Sequence, residues 1–481
     1  MLSFDWAQSL LSNRPTSIVA NSTNGKPPII IAAVALWSHM EKFLPIADGL
    51  IQLGYPVHFI GGPLFRDQIE QIGATFVELQ GSPTTPGYFL SDTEMEKLMT
   101  MDPESPEFSI FGLGSVIWGA TPRYFRSLQA ALRQVNDVRA VFVHDTIVGA
   151  STPLFLGAPG VRPHTTISIS PVPIAYPSND TMPFNSGLLP DTSLNAREIH
   201  FKAWQELDDN PIIKGWYEIA VEAMSSLDTR QPPPKPCLCI NQILSDVLCL
   251  LSIRDFDFPR SDDRPNMHHI GMPKLVGARE RELPPWWDEV LDAKKQGKKI
   301  VAVSRSSLDY SMENVLVPTM NGLRGRDDVL VVVALVSGEV EDLKKNFDIP
   351  ENAKVTTFIP MDLLLPYVDI LVSSGGYGTV QHALQNGVPM VLIGALEDKV
   401  ETGTIARYTG VGIFHHSLSV EPDAVAASVD EILSNPSYKQ NAEKMKESYK
   451  EYDPVELLDK IIQERVRWYD ELTSQQRIEM Q

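Results

Sequence analysis

Unbroken apolar runs, rather than alternating ones, punctuate this chain, and they come in two series. Ile29–Leu36 holds no polar side chain, which fits a parallel strand buried on both faces. A Trp37–Lys42 loop leads to Phe43, Leu44, Ala47, Leu50 and Ile51 at helical spacing. Val57–Ile60 and Thr75–Leu79 read as strands flanking a Leu64–Ile72 helix. A helix pattern over Tyr124–Val135 leads to strands at Ala140–His144 and Thr165–Ile169, and Val247–Ile253 closes the series. The second series runs through Ile300–Ser304, Val329–Val336, Val355–Ile359, Ile370–Ser373 and Met390–Ile393, and turns helical from Asp423 onward. Strand–helix alternation of this kind predicts α/β architecture with doubly wound parallel sheets.

Two similar halves predict two facing Rossmann-like domains with a cleft between them. Residues 1–265 form the first, 266–455 the second, and 456–481 a helical tail packing back on the first. The charged, proline-bearing stretch Ser261–Pro285 is the expected linker, with a short strand near Met267–Ile270. Open α/β sheets bind ligands at the carboxyl ends of their strands, so two facing sheets can share one site for two substrates.

Of 481 residues, 61 are acidic and 41 basic, a net charge of -20. No basic face is available to neutralise phosphates along a polymer, so nucleic-acid partners are excluded. A single diphosphate can still be held by helix N-termini and backbone amides. Cys237, Cys239 and Cys249 lack zinc spacing and read as reduced thiols, and no metal site is expected. Met1–Lys26 has no apolar signal core, and the longest apolar run, Ile29–Trp37, is far short of the roughly 20 residues a membrane span needs. A cytoplasmic protein without a transmembrane segment is expected.

Chemistry concentrates between Ile370 and Gly412. A buried strand ends in Ser373-Ser374-Gly375-Gly376, and a helix opens near Gly378-Thr379. Small residues there let backbone approach a ligand while unpaired helix amides face it, and Ser374 and Thr379 add hydroxyls. No Gly-Lys-Ser comes after it and no G-x-G-x-x-G is present, so neither a Walker loop nor a dehydrogenase fingerprint is made. The simpler reading is a strand–helix turn that needs glycine on steric grounds. Glu397-Asp398-Lys399 lies after the next strand at the same edge, with acceptors and a donor suited to sugar hydroxyls.

This segment resembles the nucleotide-sugar signature of the family-1 UDP-glycosyltransferases of GT-B fold, in particular their microbial small-molecule branch. Phe358-Ile359-Pro360-Met361 and Leu365-Pro366-Tyr367-Val368-Asp369 precede the glycine turn as in that family, and Gly387-Val388-Pro389-Met390 comes after it. Ser38-His39, Pro45, Ala47 and Gly54-Tyr55 match in the first half, as does Phe258-Pro259-Arg260 before the linker. The resemblance implies that Phe358 stacks on uracil with Met361 beside it. It implies that Ser374, Gly376, Gly378, Thr379 and Ser307 hold the diphosphate, that His382 takes the ribose position, and that Asp398 and Lys399 read the sugar. It departs from the commonest family pattern where Ser374 replaces a His, Gly378 an Asn, His382 a Glu, Met361 a Gln and Ser306 a Gly.

The same resemblance makes His39 the general base and Asp145 its acidic partner. A neutral imidazole suits proton removal from a hydroxyl near neutral pH, and a carboxylate on its other nitrogen orients it. Asp145 ends the Ala140–His144 strand and so shares the sheet edge with His39; its simpler role is a helix N-cap. His144 points elsewhere by strand alternation.

The reaction implied is an inverting transfer from a UDP-sugar, with UDP-glucose the donor by family frequency. The acceptor is a small apolar or phenolic hydroxyl compound; no cofactor is permanently bound and no metal is required. Trp37, Tyr88, Phe89, Phe108, Phe111, Trp118, Tyr124 and Phe125 are core or acceptor-pocket residues. An epimerase of the same fold and a catalytically silent nucleotide-sugar binder are the alternatives.

Overall fold

The computed structural model describes residues 25–85, 90–102, 105–235, 238, 240–274, 283–305, 311–336 and 339–471. Each apolar run became a parallel strand. The first sheet contains β1 (Ile29–Ala32), β2 (Val57–Gly61), β3 (Thr75–Glu78), β4 (Val141–Asp145), β5 (Thr165–Ser170), β6 (Val247–Leu250) and β7 (Met267–His269). Their spatial order is β3-β2-β1-β4-β5-β6-β7, all parallel. The second sheet contains β8 (Lys299–Ser304), β9 (Val329–Ala334), β10 (Ala353–Thr356), β11 (Ile370–Ser373), β12 (Met390–Ile393) and β13 (Gly412–His415), ordered β10-β9-β8-β11-β12-β13. Both sheets are doubly wound and Rossmann-like, with chain direction across the sheet reversing at β1/β4 and at β8/β11.

Register locks the two reversal points. Ile31 lies between Phe59 of β2 and Val143 of β4, and Val372 lies between Val303 of β8 and Val391 of β12. One continuous apolar cluster joins the layers, taking Ile31 and Val143 from the first sheet, Ala302, Leu371 and Leu392 from the second, and Leu458 from the last helix.

Three expectations shift. β1 stops at Ala32, and the segment expected as a loop opens helix α1 (Trp37–Gln52) instead. Nothing before Pro45 opposes helix there, and the helix runs on through Pro45 without that residue's bond to the Glu41 carbonyl. The strand near residue 267 pairs with β6, so the first layer runs to His269, past the boundary drawn at 265. A strand goes where an edge offers hydrogen-bonding partners, whatever the composition of the segment beyond it.

Helix α2 (Tyr377–Gln385) comes after β11 and helix α3 (Lys399–Tyr408) after β12. Helix α4 (Pro454–Glu471) lies against α1: Leu458 and Ile462 are fully buried, and the Tyr55 hydroxyl donates to Asp459 Oδ1 at 2.6 Å. The chain thus passes between layers twice, after Ile270 and before Pro454. The two passages touch: a Cβ on Gly271, whose φ is +79°, would stand 2.7 Å from Tyr452 Cβ. Among the described residues no helix is long and apolar enough to cross a membrane. Cys249 is buried, whereas Cys237 and Cys239 lie outside the described residues.

Candidate active site

β1 and β4 are neighbours, so the helix that β1 feeds starts beside the carboxyl end of β4. His39 stands in the first turn of α1 and Asp145 is the last residue of β4. His39 Nδ1–H donates to Asp145 Oδ2 at 2.5 Å, with the carboxylate wholly buried and the ring 18% exposed. Asp145 Oδ1 accepts from the Ile147 amide at 2.9 Å, so neither carboxylate oxygen is idle. With its Nδ1 proton engaged, neutral His39 keeps the Nε2 lone pair as its basic atom. His144 points away: its Nδ1 bonds the Asp145 carbonyl at 2.9 Å and its ring stacks on Phe142. Burial pushes its pKa down to about 4, which keeps it neutral.

β8 and β11 form the matching reversal in the second sheet, and the glycine turn leaves β11 there. The Gly375 amide donates to Ser373 Oγ at 3.3 Å and the Tyr377 amide to Asp398 Oδ2 at 3.4 Å. The amides of Gly378 and Thr379, in the first turn of α2, have no acceptor among the described residues. Ser374 is buried beneath them. Ser307, expected to add a contact, lies outside the described residues, as do Ser306, Tyr88 and Phe89.

The nucleoside positions flank this turn. Phe358 is 45% exposed, an unusual setting for a phenyl ring, whereas Met361 packs partly buried on the main core. Gln385 Nε2 donates to the Met272 carbonyl at 2.7 Å, so its Oε1 accepts from His382 Nδ1–H at 3.0 Å. That leaves His382 Nε2 as an acceptor, buried and without a partner among the described residues. Burial lowers the pKa of His382, and the charges of Glu41, Lys42 and Asp362 act on it.

Lys399 is not the open donor expected. It is buried and ion-paired to Glu397. Desolvation raises the pKa of Asp398, with Lys399 opposing and Glu397 reinforcing the shift. The turn is clamped from the first layer by Asn185, a residue with no motif around it. Asn185 donates through Nδ2 to the Glu397 carbonyl and through its amide to Glu401 Oε2 at 2.9 Å. Glu401 returns a bond from its own amide to Asn185 Oδ1 at 3.1 Å.

Among the aromatic residues, Trp118, Tyr124 and Phe125 are core. Trp37, two residues before His39, is 42% exposed and stacks on Phe65 with ring centroids 6.3 Å apart. Phe108 and Phe111 pack on a small cluster of Leu90, Met95 and Leu98.

Known proteins resemble this chain along most of its length. Residues 320–463 match the family model described as the C-terminal domain of erythromycin biosynthesis protein CIII-like proteins. UDP-glucosyltransferase avaP of Aspergillus versicolor is 34% identical over 448 residues, spanning 90% of this chain and 95% of its own. UDP-glycosyltransferase 2 of Phaeomoniella chlamydospora is 32% identical over 448 residues, with 90% and 95% covered. The crystal structure of the glycotransferase of kitacinnamycin superposes with a TM-score of 0.63 at 18% identity, over 92% of this chain and 99% of that one. With two doubly wound sheets, a histidine–carboxylate pair at one reversal and a glycine turn at the other, the chain belongs to the family-1 UDP-glycosyltransferases of GT-B fold, in their microbial branch.

Proposed function

We propose that the protein transfers glucose from UDP-glucose to a hydroxyl of a small apolar or phenolic acceptor, with inversion at the anomeric carbon. The observation that carries the mechanism is the bond from His39 Nδ1 to Asp145 Oδ2, which leaves Nε2 free to take the acceptor proton. Asp145 holds the ring and stabilises the imidazolium as it forms. The acceptor oxygen bonds to the anomeric carbon as the bond to the β-phosphate breaks, and UDP takes the electron pair. The unpaired amides of Gly378 and Thr379, with Gly376 and Ser374, meet the charge developing on that leaving group. Phe358 stacks on uracil, with the Met361 thioether beside it. His382 accepts from a ribose hydroxyl, and Asp398 accepts from the sugar while Lys399 holds the turn through Glu397.

In this reading the first half binds the acceptor and the second the donor. The glucosyl assignment is supported by the activity named for the Aspergillus relative. Trp37 and Phe65 favour a planar acceptor, since stacked rings offer a flat apolar surface beside the base.

The test is mass spectrometry of a phenol and terpenoid panel with several UDP-sugars, then NMR of the product's anomeric centre. A β-linked product from the α-linked donor is expected; an α-linked one overturns the inverting mechanism. His39→Ala should lower kcat by about 10²–10⁴, and unchanged glycoside formation removes His39 from the chemistry. Activity is expected to survive a chelator. A loss that one divalent ion restores contradicts this reading.

A further inference from the structure

Lys42 lies one turn of α1 beyond His39 and shares its face. It points out of the first layer into the second. A Cβ at Gly378 would stand 2.8 Å from Lys42 Cε and 2.9 Å from Nζ. The lysine is 5% exposed, and its ammonium donates to the Ser38 carbonyl and to Glu41 Oε1, the latter at 3.2 Å. An ammonium has three donors, so one is left over among the described residues.

Among the described residues only the partly exposed Glu41 pairs with this charge. The first turn of a helix carries partial positive charge on its unpaired amides, and a buried cation beside it is repelled. Asp398, the carboxylate at this helix end, accepts from the Tyr377 amide. No carboxylate of the second layer pairs with Lys42 among the described residues. The buried His382 ring, with Nε2 lacking a partner among the described residues, feels the same Lys42 charge. Two amides and a buried ammonium with a donor to spare thus meet at one place, and a multiply charged anion satisfies both, while His382 Nε2, an acceptor, suits a neighbouring hydroxyl.

We propose that Lys42, supplied by the first layer, binds the donor's diphosphate and neutralises the charge that develops as UDP departs. This rests on reading the glycine turn as the diphosphate cradle, and adds a ligand to it from the opposite layer. Gly378 is part of the device, because any side chain there would fill the space the lysine occupies. Lys42 neither gives nor takes a proton in the transfer; the acceptor's proton goes to His39 and the breaking bond's electron pair to the β-phosphate oxygen.

Calorimetric titration of the full chain with UDP and with uridine tests the assignment. Wild type should bind UDP more tightly than uridine. Lys42→Met should weaken UDP about 10–100-fold, the range for a charge-assisted bond, and leave uridine within about twofold. Lys42→Arg should keep most of the UDP affinity, and the donor KM should rise in Lys42→Met. If Lys42→Met keeps the wild-type margin of UDP over uridine, Lys42 does not touch the diphosphate and the cradle reading stands. If wild type itself binds uridine as tightly as UDP, the cradle reading fails. Should Lys42→Met not fold, Lys42→Gln carries the same comparison. An equal loss for UDP and uridine in either variant assigns Lys42 to structure alone and overturns the proposal.

Discussion

An imidazole is held most firmly by a carboxylate that cannot turn, and Asp145 has an anchor on each oxygen, the Ile147 amide and His39 Nδ1. Asp145→Asn keeps the first anchor but presents an NH₂ to the ring. That pushes the ring proton onto Nε2 and, in the mechanism proposed above, removes the base. A fall in kcat of about 10²-fold or more with little change in acceptor KM is expected from initial rates; a changed KM with intact kcat would make Asp145 a binding residue instead. Both members of this pair could be read in the sequence through the family resemblance, with Asp145 also placed by ending a strand at the sheet's carboxyl edge. Lys42 could not. With Trp37–Lys42 read as loop, its three-residue spacing from His39 carried no meaning, and the spacing becomes a shared face only once α1 starts at Trp37. Lys399 shows another limit: a motif gives a residue's place, and only the fold shows that Glu397 pairs with its charge.

Apolar runs showed where strands lie but not how long they are, since burial of a loop beyond Ala32 looks the same in composition as burial of a strand. The clamp on the Glu397-Asp398-Lys399 turn was invisible for a related reason. Asn185 lies some 210 residues before Glu397 in a stretch without periodicity, and only folding brings them together. Its partner Glu401 has a measurable consequence. Burial raises that carboxyl's pKa to about 7, against the pull of the Asn185 amide and Arg260 and with Asp257 pushing upward. Because the folded state holds the proton more tightly, the stability gained from protonation is complete below about pH 4.5 and lost as pH rises through 7. The free energy of unfolding, read from denaturant midpoints, should therefore fall between about pH 4.5 and pH 8 by an amount on the order of a few kcal/mol. Glu401→Gln keeps an acceptor for the Asn185 amide and should flatten that slope. A slope unchanged in the variant would move the titration to another group.

Over the whole chain, α4 is the piece that makes two layers one molecule, since it extends from the second layer and buries Leu458 and Ile462 beside α1. Leu458→Ala should cost about 2–5 kcal/mol, read from denaturant midpoints. If the cost is within error of zero, the helix contributes only surface cover. The doubly wound pairing of the layers could be read from the two series of runs, and so could the short strand near Met267; its place as the seventh of the first sheet could not, because three residues carry too little pattern to assign an edge. Where the backbone leaves the first layer at Gly271 and where it comes back at Tyr452, the two threads lie in contact. Bodies joined at adjoining points can swing about that spot but cannot drift apart there. Any gape between the layers has its fulcrum at this crossing, and the travel of a side chain grows with its distance from it.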